Sequence, residues 1–124
     1  MATNRNSQVI PARANADLSS SQYRIVSIAA NSSVDVATAS TGVVTGIVQN
    51  KPVAGEGARV CIGGVSKLEA GAAITAGSLI VAVAGGRGSM KALTAGDSYI
   101  GVALTGADGS GSLFDCLVDV TRGA

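Results

Sequence analysis

A chain of 124 residues with 47% apolar composition fits a single domain, but 21 of those positions are Ala and only one Phe and two Tyr are present, so the core must be thin and association with other subunits is a natural supplement. Nine Lys or Arg against eight Asp or Glu leave no electrostatic footprint for nucleic acid. The longest uncharged apolar stretch, between Glu69 and Arg87, is interrupted by Gly71, Gly77, Gly85 and Gly86, which argues against a membrane-spanning helix.

Residues 1–22 are rich in Asn, Ser, Ala and Arg, show no sustained period of 2 or 3.6, and read as an extended N-terminal arm. The arm lacks the apolar centre of a secretory signal, so cytoplasmic synthesis is expected. Within it, Val9, Ile10 and Pro11 form an extended apolar spot, because the residue before a proline is pushed toward β or polyproline geometry. Those three, with Arg5 and Arg13 for carboxylates or carbonyls, are the candidate partner contacts; a solvated tail is the competing reading.

From residue 23 to 124 the chain shows alternation punctuated by glycine, the pattern of an all-β body. Strands are expected at 23–30, 42–50 and 58–65, then an irregular stretch over 66–76. A fourth strand at 78–84 places Leu79, Val81 and Val83 on one face, and a fifth at 99–105 does the same with Ile100, Val102 and Leu104; these faces are expected to meet inside. Asp108-Gly109 is a dipeptide that favours a tight reversal. The closing strand, 113–120, points Phe114, Cys116, Val118 and Val120 one way and Asp115 and Asp119 the other. The Leu-x-Ala-Gly echo at 68–71 and 93–96 is too short to make a repeat architecture.

The chain has no His, which removes the usual general base and the commonest metal ligand. Two Cys fall short of a tetrahedral zinc set, and without a secretory signal Cys61 and Cys116 are expected as buried, reduced thiols. Asp115 and Asp119 lie about 13 Å apart along a strand, too far for the roughly 5–9 Å of a glycosidase pair. The GGRGS run at 85–89 lacks the Lys-Ser/Thr and the strand-to-helix transition of a phosphate loop. Asn31-Ser32-Ser33 matches a glycosylation acceptor, without the secretory route that would use it. Neither catalytic residues, cofactor, metal nor small-molecule substrate is expected. One alternative carries a covalent group: Met90-Lys91 resembles the modified pair of biotin carrier domains, with Ser89 and Ala92 where those carriers show Ala and Met. A biotinyl-type carrier or small ligand-binding β module, with Lys91 modified, is therefore the second reading.

Over residues 57–120, the run GARVCIGGVSKLEAGAAITAGSLIVAV, then KALTAGDSYIGVAL, then a Gly-rich turn and LFDCLVDV, resembles the small capsid decoration (cement) proteins of tailed bacteriophages. The resemblance implies a small antiparallel β-barrel or β-tulip-like body, commonly a homotrimer, bound to the outer capsid surface of the virion. It implies a non-enzymatic role, stabilising the head by bridging major capsid proteins, with the N-terminal arm reaching neighbouring subunits.

Overall fold

A computed structural model of the protein describes residues 8–29, 33–41, 43–92 and 96–122, with side chains as far as 120. Nine strands are present: β1 (Gln8–Ala14), β2 (Ile25–Ile28), β3 (Ser33–Val36), β4 (Gly46–Val48), β5 (Gly57–Glu69), β6 (Leu79–Val83), β7 (Arg87–Met90), β8 (Ser98–Ala103) and β9 (Leu113–Arg122). A single 3-10 turn, Ala84–Gly86, joins β6 to β7, and no α-helix occurs among the described residues. The strands form one sheet in the order β1-β3-β2-β4-β5-β9-β8-β6-β7, and a further β1–β5 pairing closes the first five into a barrel-like ring.

The 13-residue β5 joins the two halves. At about 3.3 Å per residue it is some 40 Å long, enough to serve two sets of neighbours. Residues 57–63 pair with β1 and β4 in the ring, and Gly64–Glu69 pair with β9 in the flanking sheet. The handover falls at Gly63-Gly64, where Gly64 takes a φ of +87°.

Two cores follow from this arrangement. Inside the ring, Val26, Val34, Val48, Ala58 and Val60 pack with Ala14 and Leu18. Outside its β2-β4-β5 wall, Ile25, Ile47 and Cys61 meet Leu68, Ile80, Ala82, Ile100, Phe114, Cys116 and Val118 from the flanking sheet. The wall is buried on both faces, which is why β2 and β4 present unbroken apolar runs, Ile25-Val26 and Ile47-Val48. Each such Ile or Val contributes about 1.5–3 kcal/mol when fully removed from water.

Several expectations need correction. The arm expected over residues 1–22 is, in its described part, integral to the body: β1 hydrogen-bonds to β5 antiparallel and to β3 parallel, and Ala14, Leu18 and Ser21 are buried. The all-β, barrel-like body is as expected, with one parallel pairing, β1 with β3, among antiparallel ones. β3 was not expected, because four residues, SVDV, beside a polar Asn-Ser run give too short an alternation. β5 continues through Glu69 where an irregular stretch was expected. The apolar faces chosen for β6 and β8 are reversed for most of their length. Ile80 and Ala82 enter the core, while Leu79 and Val102 lie on the outer face and Leu104 is exposed. Register shifts beside Ile80 and Tyr99 keep Ile100 inside without bringing Val102 in. The closing strand is as expected for Phe114, Cys116 and Val118, but Val120 is exposed near the strand end.

Candidate interaction surfaces

Strand alternation sorts the candidate contact residues. Along β1, Ile10 and Ala12 turn inward against the ring core, whereas Val9, Pro11 and Arg13 are exposed. Ile10 is therefore a packing residue of the ring, not a free contact. Pro11 is tolerated because its nitrogen points away from β5, to the side where β3 pairs only from Arg13 onward, so no ladder bond is lost there; it lies opposite Arg59, as Arg13 lies opposite Gly57. Val9, Pro11, Arg13 and Arg59 thus share one outward face, with two guanidinium groups that make no ion pair with a described carboxylate. Arg5 lies outside the described residues. Arg59 was absent from the sequence expectation; only the strand register reveals its place beside Pro11.

Other cations are engaged. Arg24, just before β2, and Arg87, on β7, both bind Glu69 at the end of β5, at 3.3 Å and 2.7 Å. Arg24 Nη1 also donates to the Gly85 carbonyl. This clasp ties the ring to the far edge of the flanking sheet. Partial burial pushes the Glu69 carboxyl up, but hydrogen bonds and charge from Arg87 and Arg24 outweigh that and hold it below the usual range. Lys67 Nζ meets Asp115 Oδ1 at 3.0 Å across β5 and β9.

Lys91 is placed differently from a carrier lysine. The tip of the β6–β7 hairpin is Ala84–Gly86, and Lys91 follows β7 at the other end. Its Nζ lies 2.9 Å from Oδ2 of the buried Asp97 and donates to Ser40 Oγ, while Ser40 Oγ donates to Asp97 Oδ1. Hydrogen bonds from Lys91 and Ser40 lower the Asp97 pKa. An open depression of about 310 Å³ beside it is lined by Ser78, Leu79, Met90, Lys91 and Ala92.

Cys61 and Cys116 are free, buried thiols of the same core. Burial pushes Cys116 up to about 12, with Cys61 nearby adding to the effect, and burial also raises Cys61. Such thiols are poor nucleophiles. No group of three His, Cys, Asp or Glu able to hold a metal occurs among the described residues.

A second exposed surface was missed from the sequence. On the outer face of the flanking sheet, Val65, Leu117, Val102 and Leu79 stand opposite one another across β5, β9, β8 and β6. Leu104 and Leu113 flank this row, both exposed. Asp115 and Asp119 give this face its polar character, but Leu113 and Leu117 share it with them, and that Leu-x-Asp-x-Leu spacing was the available signal.

The arrangement defines a class of fold: an all-β protein whose five-stranded ring shares its longest strand with a flanking antiparallel sheet. No protein-family model matches the chain, and no curated protein matches it. Among solved structures it is similar to the N base of head fiber gp8.5 in bacteriophage phi29, with a TM-score of 0.66 over 91% of this chain and 94% of that one. At 16% identity the likeness is one of fold.

Proposed function

We propose that this chain is a structural, non-enzymatic protein of a tailed-phage head, bound to the outer surface of the capsid as a homotrimer that bridges major capsid proteins. The observation that carries the reading is the match, over nearly the whole of both chains, to a protein described as the base of a phage head fiber. The sequence resemblance to capsid decoration proteins points the same way. The outward face of β1, with Val9, Pro11 and Arg13 beside Arg59, supplies an apolar and cationic contact for a capsid protein. A rigid ring behind that face holds it in place, so little ordering entropy is lost on binding. Several copies joined together would add modest contacts into slow dissociation.

The carrier reading loses its support, because Lys91 is held by Asp97 and Ser40 away from the hairpin tip. Mixing the purified chain with heads of its own phage that lack it tests the proposal. The chain should co-sediment at a saturating ratio and reduce DNA release on heating. Heads that neither bind it nor gain heat resistance overturn the reading.

A further inference from the structure

The cations of the two halves are used differently. Arg24, Arg87, Lys67 and Lys91 each pair with a carboxylate, that of Glu69, Asp115 or Asp97. On the ring, Arg13, Lys51 and Arg59 pair with no described carboxylate, although the ring carries acidic residues of its own. Those residues accept from uncharged donors instead: Asp17 from Ser19 N, Asp35 from Asn15 Nδ2 and Glu56 from Val53 N. The chain thus leaves three cations without the counter-charge that it gives the others.

Strand register gathers these three. Arg13 lies opposite Gly57 and Pro11 opposite Arg59, so the two arginines are diagonal neighbours, about 7–8 Å apart at their roots and within reach of each other. On the other side of β5, Gln49 N donates to the Arg59 carbonyl and Asn50 Nδ2 to that of Gly57. Continuing the β4–β5 register past Val48 and Val60 brings the exposed Lys51 level with Gly57. Gly57 is the floor between them: it is exposed, its φ is not positive, and a Cβ there would meet nothing within 4 Å. Neither backbone nor packing requires glycine at this position, and its bare main chain leaves room for a group brought by a partner. Like charges around an open floor repel one another until an anion joins them.

We infer that this notch takes a carboxylate: an acidic protein segment lies along β1, with an Asp or Glu seated over Gly57 between Arg13, Arg59 and Lys51, and with apolar residues on Val9 and Pro11. Arginine suits the role because its planar fork grips a carboxylate through two parallel hydrogen bonds. The apolar end of the face, where Val9 is 39% exposed, favours such a segment over a nucleic acid. A phosphate backbone would find charge at one end only, and its bases would find no aromatic side chain to stack on among the described residues of this face. That the segment belongs to a capsid protein rests on the proposed function; the carboxylate chemistry of the notch deepens that reading.

Two measurements on the full chain test this. In the first, fluorescein-labelled poly-L-glutamate and a labelled dT oligonucleotide are each titrated with the chain at low salt. Poly-L-glutamate should bind in preference to the oligonucleotide. Arg13→Glu, Arg59→Glu and Gly57→Glu should each weaken that binding about tenfold or more, with unchanged thermal unfolding. Gly57→Glu is the most specific of the three, because it fills the notch with a carboxylate from the chain itself and removes no cation. In the second, the same variants are co-sedimented with heads that lack the chain. Wild-type binding should fall as salt is raised, and the three variants should lose it. Preference for the oligonucleotide assigns the notch to nucleic acid and overturns the inference, as do folded variants that bind poly-L-glutamate and heads like the wild type. A chain that binds poly-L-glutamate through the notch but ignores heads refutes the proposed function and leaves the notch standing; one that binds heads regardless of salt and of all three substitutions does the reverse.

Discussion

Glu69 stands between two guanidinium groups at the end of β5, and its effect on stability should depend on pH in a defined direction. Its folded-state pKa is depressed, so its contribution is complete above the usual glutamate value of 4.5 and is lost as pH falls through the lower folded value. The pair is partly buried, between exposed bridges worth 0–1 kcal/mol and buried ones costing 3–5 when broken, so Glu69→Gln should cost about 1–2 kcal/mol at pH 7. Thermal melts between pH 6 and pH 3 should fall less steeply for Glu69→Gln than for the wild type; parallel curves would show that the clasp carries no such term. The cysteines give a second residue-scale prediction. With both thiols buried and Cys116 raised to about 12, iodoacetamide at pH 8 should label neither in the native chain and both after unfolding. Rapid labelling of the native protein would contradict their place in the core.

Among the elements, β9 was legible from sequence and the pair β6 and β8 was not, for one physical reason. In LFDCLVDV the acidic residues mark the outward face. In LIVAV both faces are apolar, and the choice is made by the register shifts that seat Ile80 and Ile100 in the core. At the β8 shift, Gly101 has a φ of +155° and a Cβ there would lie 1.9 Å from the Leu117 carbonyl oxygen. The β8–β9 reversal was expected at Asp108-Gly109, yet the positive φ, +90°, falls at Gly111. Gly109→Ala should therefore be nearly neutral, Gly111→Ala should cost about 1 kcal/mol of backbone strain, and Gly101→Ala should cost well over 2 kcal/mol or prevent folding. Denaturant midpoints of the three variants check this order, and equal effects at Gly109 and Gly111 would contradict the turn assignment.

At the level of the whole molecule, the all-β class was legible in the alternating, glycine-punctuated sequence, while the ring closure stayed hidden. Ring closure depends on β1, whose QVIPARA run alternates too weakly to announce a strand. Its partner, residues 57–63 of β5, lies some 50 positions away, so only the folded register shows the pairing. The candidate site was legible in part: Val9, Pro11 and Arg13 are outward as a contact needs, Ile10 is not, and Arg59 joins them through that same pairing. It follows that removing residues 2–14, β1 included, opens the ring, uncovers its core and should yield an aggregated or unfolded chain. A stable, monodisperse protein lacking residues 2–14 would show that the ring is dispensable.

The central claim, that this chain is an external structural component of a phage head, is tested most directly by quantitative mass spectrometry of purified virions before and after brief protease treatment of the intact particles. The account predicts peptides of this chain in fixed ratio to the major capsid protein, lost on protease treatment while the packaged DNA stays protected. Virions that contain none of the chain, or that shield it fully while surface proteins are cleaved, would contradict it.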